Sequence, residues 1–190
     1  MNWTQDRAAN ALIKFLAAIP CLEYLILAIA PDSVFGPRVV KRFLQEYHNP
    51  NLFYFQFDDF IVPDSKDLLN FFEKHKSTLR AVILRKIHLC DNGWKVLFQK
   101  MCEELHLGNI MLDGLFVLQQ NAYWSVIFPW CEYGFMSCPG ASGFNERQEE
   151  EVTDELRRAA DEYQSTETRY EDDNFIDRVS RAASTFCIIY

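Results

Sequence analysis

The chain has 190 residues, a formal net charge of −8 and an apolar fraction of 49%, with 16 Phe, 8 Tyr and 4 Trp. That stock of large apolar side chains excludes a wholly disordered polypeptide, and the length suits one domain with a tail. Twelve Asp/Glu against four Arg fall in residues 145–173, so the remainder is neutral and lacks the basic footprint of a nucleic-acid binder.

After the charge-balanced start MNWTQDRAAN comes ALIKFLAAIPCLEYLILAIA, residues 11–30, in which seventeen of twenty residues are apolar. The length is close to that of a membrane span. Lys14, Pro20 and Glu23 interrupt it, however, and Pro20 divides it into halves too short to cross a bilayer. A signal peptide would need a basic start, an unbroken apolar run and a small-residue cleavage site. The first half is rich in helix formers, and the second has the closely spaced Leu and Ile of a strand. A capping helix followed by a buried strand is expected, with no membrane anchor.

The strand pattern recurs. Leu-Glu-Tyr-Leu-Ile-Leu from Leu22, Leu-Phe-Tyr-Phe-Gln-Phe from Leu52, Leu-Arg-Ala-Val-Ile-Leu from Leu79 and Leu-Gly-Asn-Ile-Met-Leu from Leu107 all fit φ-x-x-φ-x-φ, φ being apolar. They lie 30, 27 and 28 residues apart, and three residues beyond each block stand Ala30, Phe60, Ile87 and Leu115. Between them, RVVKRFLQEYH, KDLLNFFEKHK and NGWKVLFQKMCEEL space Leu69 and Phe72, or Trp94, Leu97, Phe98 and Met101, at helical steps. Asp64 or Ser65, and Asp91 or Asn92, are candidate N-caps for two of these helices, while Pro31, Pro37 and Pro63 mark the loops leaving the strands. Such a period is that of a leucine-rich-repeat array, in which each unit is strand, loop and helix, and strands one unit apart stack in parallel. The expected fold class is α/β, a short irregular leucine-rich-repeat-like solenoid of four units with helical capping and an acidic C-terminal tail.

The run LLNFFEKHKSTLRAVILRKIHLCDNGWKVLFQKMCEELHLGNIMLDGLF resembles the leucine-rich-repeat-like region of fungal F-box-type proteins, the likeness covering roughly residues 12–116. In that family an N-terminal F-box docks to a ubiquitin-ligase adaptor and the repeats recruit the substrate. The resemblance therefore implies a substrate-receptor-like module. No F-box precedes the first repeat, so an adaptor contact is not expected. The Asn of standard repeats is replaced by Ala30, Phe60, Ile87 and Leu115, which implies an irregular array.

In each strand the φ residues point inward and the x residues outward. The outward columns are Tyr24, Tyr54, Ala81, Asn109; Ile26, Gln56, Ile83, Met111; and Ala28, Asp58, Arg85, Asp113. Arg85 is then expected between Asp58 and Asp113. Tyr24, Tyr54, Gln56, Asp58, Ile83, Arg85, Met111 and Asp113 are the candidate binding residues. The competing reading is that the C-terminal segment covers the apolar members and the charges compensate one another.

Beyond Leu115, VLQQNAYWSVIFPWCEYGFMSCPGASGF reads as a cap on the array or, alternatively, as an exposed aromatic patch around Tyr123, Trp124 and Trp130. In GASG, Gly143 follows Ser142 at once, unlike a nucleophile elbow, and no Lys completes a phosphate loop. The six Cys and four His have no metal-ligand spacing, and free buried thiols of a cytoplasmic or nuclear protein are expected. Neither a metal nor another cofactor is expected. In 145–163, Val152, Leu156, Ala159, Ala160 and Tyr163 recur at helical steps, which predicts a solvated amphipathic helix, with a disordered tail or docking onto a basic partner as alternatives. The last residues, DNFIDRVSRAASTFCIIY, are apolar again and either fold back onto the repeats or do nothing. The chain is thus divided at 1–144, 145–173 and 174–190. The functional expectation is a non-catalytic module that binds a protein partner. A structural fragment of a larger protein and a small enzyme with an unrecognised site are the other classes.

Overall fold

A computed structural model describes residues 3–29, 36–91, 93–119, 122–127, 135–137, 146–162, 164–168 and 186–187. It is a mixed α/β structure with two sheets containing parallel strands, and five helices among the described residues. Helix α1 (Trp3–Ala17) buries Ala9, Leu12 and Leu16, a three-then-four stripe, and keeps Arg7 and Lys14 exposed. It closes with the amides of Ala18 and Ile19 bonded back to Phe15 and Leu16, ahead of Pro20. Strand β1 (Tyr24–Ile29) follows, so the apolar run at the start is a helix and a strand. No described helix is long and apolar enough to cross a membrane.

The first sheet holds β1, β2 (Tyr54–Asp58), β4 (Ala81–Arg85) and β6 (Asn109–Asp113) side by side, all parallel. Tyr24 pairs with Tyr54, Tyr54 with Ala81 and Ala81 with Asn109, the register that the repeat spacing predicts. Leu25, Leu27, Phe55, Phe57, Val82, Leu84, Ile110 and Leu112 are all buried. So are the flanking Leu22, Leu52, Leu79 and Leu107, and Phe60, Ile87 and Leu115 beyond the strands, whereas Ala30 lies outside the described residues. Alternation of period two explains this, because every second side chain must face the helices. Ala81 is the exception, buried on the outward side between Tyr54 and Asn109.

Directly after β2, β4 and β6 the backbone turns left-handed at Asp59, Lys86 and Gly114, with φ of 63°, 50° and 59°. These turns stack: the Asp59 amide donates to the Arg85 carbonyl at 2.9 Å, and the Lys86 amide to the Asp113 carbonyl at 2.8 Å. Gly114 suits this conformation, which costs an ordinary residue such as Lys86 about 1 kcal/mol. Each turn feeds a second strand where the sequence pattern shows only loops: β3 (Ile61–Val62), β5 (His88–Leu89) and β7 (Phe116–Gln119). They form a parallel ladder, extended antiparallel by β8 (Ala122–Ile127) and β10 (Gln164–Thr168). The short β9 (Phe135–Ser137) and β11 (Phe186–Cys187) pair antiparallel with β6 and β1.

Helices α2 (Pro37–Glu46), α3 (Ser65–His75) and α4 (Trp94–Glu104) complete the units. Pro37 is the first residue of α2, where its missing N–H costs nothing. Asp64 caps α3, its carboxylate accepting the Lys66 amide at 2.9 Å. Asp91 does not cap its own helix. The N-cap of α4 is Gly93, and Asp91 Oδ2 accepts instead from the Ser65 amide (3.1 Å) and Ser65 hydroxyl (2.7 Å) of the preceding unit. Gly93 permits that approach, since a Cβ there would stand 2.1 Å from Ser65 Oγ. In the same manner Lys74 donates to the carbonyls of Leu44, Gln45 and Tyr47, which closes the C-terminal end of α2. Burial pulls the Lys74 ammonium below its ordinary pKa.

Between sheet and helices lies a largely aromatic core in which Phe43, Phe55, Phe57, Phe60 and Phe71 touch in series. Trp94 reaches β7 at the middle of the second sheet, its indole donating to the Phe116 carbonyl at 3.0 Å. Helix α5 (Glu146–Glu162) buries Val152, Leu156, Ala159 and Ala160 and lies against α4. Its apolar face is therefore covered, unlike that of the solvated helix expected from the sequence. Cys102 donates to the Thr153 carbonyl across this contact, and His106 pairs with Glu149. Cys21, Cys90 and Cys102 are free, but Cys21 and Cys90 are exposed and Cys102 half-buried, contrary to the buried thiols expected. Both exposed thiols sit in the loops beside strands, where small local stretches of apolar sequence do not imply burial. Asn92, Trp130, Cys131, Cys138, Ser142, residues 169–185 and the side chains of Tyr123, Trp124 and Cys187 lie outside the described residues.

Candidate functional site

The outward face of β1, β2, β4 and β6 gathers the candidate residues, because an in-register parallel sheet aligns equivalent positions of successive units. At the N-terminal ends of the strands Tyr24 is 53% exposed, and its ring lies 5.7 Å from that of Tyr54. Phe53 joins them, 6.1 Å from Tyr24. The Tyr54 hydroxyl donates to Gln56 Oε1 at 2.9 Å, which fixes both side chains and leaves the Gln56 amide group as a donor.

Ile26, Gln56, Ile83 and Met111 form the middle column and are all half-buried. At the C-terminal ends Arg85 stands between two carboxylates, with Nη1 3.6 Å from Asp58 and Nε 3.8 Å from Asp113. Both separations exceed a hydrogen bond, so the attraction is ionic and loosely held. Asp58 is the most covered of the three at 20%, against 39% for Arg85 and 38% for Asp113.

Every candidate residue thus lies on one face: Tyr24, Tyr54, Gln56, Asp58, Ile83, Arg85, Met111 and Asp113. Phe53 was missed. The repeat has two consecutive x positions after its first φ, and its spacing marks only the second as outward. The first is also at the sheet, since the Phe53 amide donates to Glu23 and the Phe53 carbonyl accepts from Arg80 and Ala81. Asn109, from the first column, adds a side-chain oxygen buried without a hydrogen-bond partner.

The chemistry on offer is aromatic and apolar contact, a few oriented hydrogen-bonding groups and a charge triplet. Among the described residues no group of three His, Cys, Asp or Glu side chains could hold a metal ion. A cavity lined by Leu12, Leu27, Val40, Phe43, Phe57 and Phe60 measures about 10 Å³, far below the several hundred Å³ of a small-molecule site. Comparison with protein-family models, curated proteins and solved structures returns no match.

Proposed function

We propose that this chain is a non-catalytic protein-recognition module, a short irregular leucine-rich-repeat-like solenoid that reads its partner with the outward face of the first sheet. The observation that carries this reading is the tyrosine pair at the strand starts, Tyr24 exposed and Tyr54 half-buried, in register with a mostly apolar column and a charge triplet. Extended faces of stacked repeats suit protein surfaces better than small molecules. Tyrosines supply large contact area at low entropic cost, and aromatic and Arg side chains dominate binding energy at interfaces. The resemblance to the repeat region of F-box-type proteins supports a substrate-receptor-like role.

A photo-crosslinking amino acid placed at position 54 tests it. In cell extract, position 54 should yield a discrete cross-linked protein, and position 73, where Glu73 is exposed on α3, should yield none. Equal products from both positions, or none from position 54, would reject the face. A cross-linked product containing ligase-adaptor subunits would extend the role toward ubiquitin transfer.

A further inference from the structure

The outward face carries a charge ladder with one rung missing. Its third column runs Ala28, Asp58, Arg85, Asp113 across β1, β2, β4 and β6. Arg85 has a carboxylate on each side, whereas Asp58 has Arg85 on one side and the methyl of Ala28 on the other. The triplet bears one surplus negative charge. Asp58 is also the least solvated member, and among the described residues its charged contact is the 3.6 Å approach of Arg85. A carboxylate so placed gains from a second cation or donor on its open side.

We propose that the partner supplies that rung, setting a single Lys or Arg side chain over Ala28 against Asp58. The inference rests on the protein-recognition reading above and specifies the chemistry of what is recognised. Ala28 carries only a methyl at this rung, between Asp58 of β2 and Cys187 of β11. Ile26, two residues back on β1 and about 7 Å away, lies where the methylene stem of such a side chain would run. Tyr24 and Tyr54, two residues further back, would then receive an apolar or aromatic neighbour in the same partner segment. An anionic segment is disfavoured, because the triplet carries a net negative charge.

The test is selection of a phage-displayed library of random peptides on the intact chain, followed by a double-mutant cycle. The expected peptides carry one Lys or Arg beside apolar or aromatic residues. Replacing that basic residue by norleucine should weaken binding by about fivefold on the native chain and not at all on Asp58→Asn. Thermal melting of Asp58→Asn verifies that the fold persists. Enrichment of acidic peptides would overturn the inference. Absence of coupling to Asp58 in peptides that still depend on Tyr54 would do the same and leave the recognition face standing. Peptides indifferent to both Tyr54→Ala and Asp58→Asn, or no enrichment at all, would overturn face and inference together.

Discussion

His75 is buried with both ring nitrogens committed: Nε2 accepts the Asn49 amide at 3.1 Å and Nδ1 faces the Phe71 carbonyl at 2.7 Å. The proton therefore sits on Nδ1, and a second proton on Nε2 would oppose an N–H with an N–H. Burial, with smaller contributions from His48 and Lys74, lowers its pKa to about 4, and burial lowers that of His88 to about 4 as well. The unfolded chain takes up these protons near the ordinary value of 6.5. Between pH 6.5 and about 4 the unfolded state thus holds more protons, and stability falls as pH falls. The urea midpoint should be level above neutrality and decline below about pH 6, each imidazole adding up to ~1.4 kcal/mol per pH unit. A His75→Phe, His88→Phe double variant should lose most of the slope between pH 6.5 and 5.5, and an unchanged slope would contradict the assignment. Alternation in the strands makes a second prediction. Leu84→Ala removes a fully buried side chain and should cost ~2–5 kcal/mol, while Ile83→Ala beside it should cost under ~1 kcal/mol. Equal losses in chemical denaturation would mean that the sheet is buried on both faces.

At the scale of elements the units are tied by side chains reaching one unit back. Lys74 holds the last carbonyls of α2, and Asp91 holds the first amide and hydroxyl of α3. Lys74→Met should lower stability by about 1–2 kcal/mol in urea unfolding, the scale of charged hydrogen bonds partly offset by relief of burying the ammonium. No loss would show the clamp to be idle. Leu156→Ala on α5 should cost about 2 kcal/mol if that helix is docked on α4, and nothing if it stands in solvent. These links were not legible in the sequence. A helix cap is read from residues next to the helix, which makes Asp91 or Asn92 the candidate for α4, although the partner of Asp91, Ser65, is a whole repeat away. The strands β3 and β5 escaped notice because two residues cannot display an alternation. The cover over α5 was invisible because its partner surface, around Cys102, is not an apolar stripe. Strands β1, β2, β4 and β6 were legible, since four φ-x-x-φ-x-φ blocks in phase determine both the buried side chains and the register.

For the whole molecule the same periodicity has two outputs. Inward, it joins successive units into one core, so each strand is stabilised by its neighbours. Outward, it aligns Tyr24 with Tyr54 and Asp58 with Arg85 and Asp113, a surface that no single repeat contains. The membership of that face could be read from spacing alone, but its aromatic end could not be read completely. Phe53 stands at a position whose direction depends on where the sheet begins. On the proposed reading this face holds the binding energy of the molecule. The most direct measurement is the affinity, by calorimetry, of the purified cross-linked partner for the native chain, Tyr54→Ala and Glu73→Ala. Tyr54→Ala should weaken binding by more than ~1 kcal/mol with its melting unchanged, and Glu73→Ala should bind like the native chain. Native affinity in Tyr54→Ala, or an equal loss in Glu73→Ala, would contradict it.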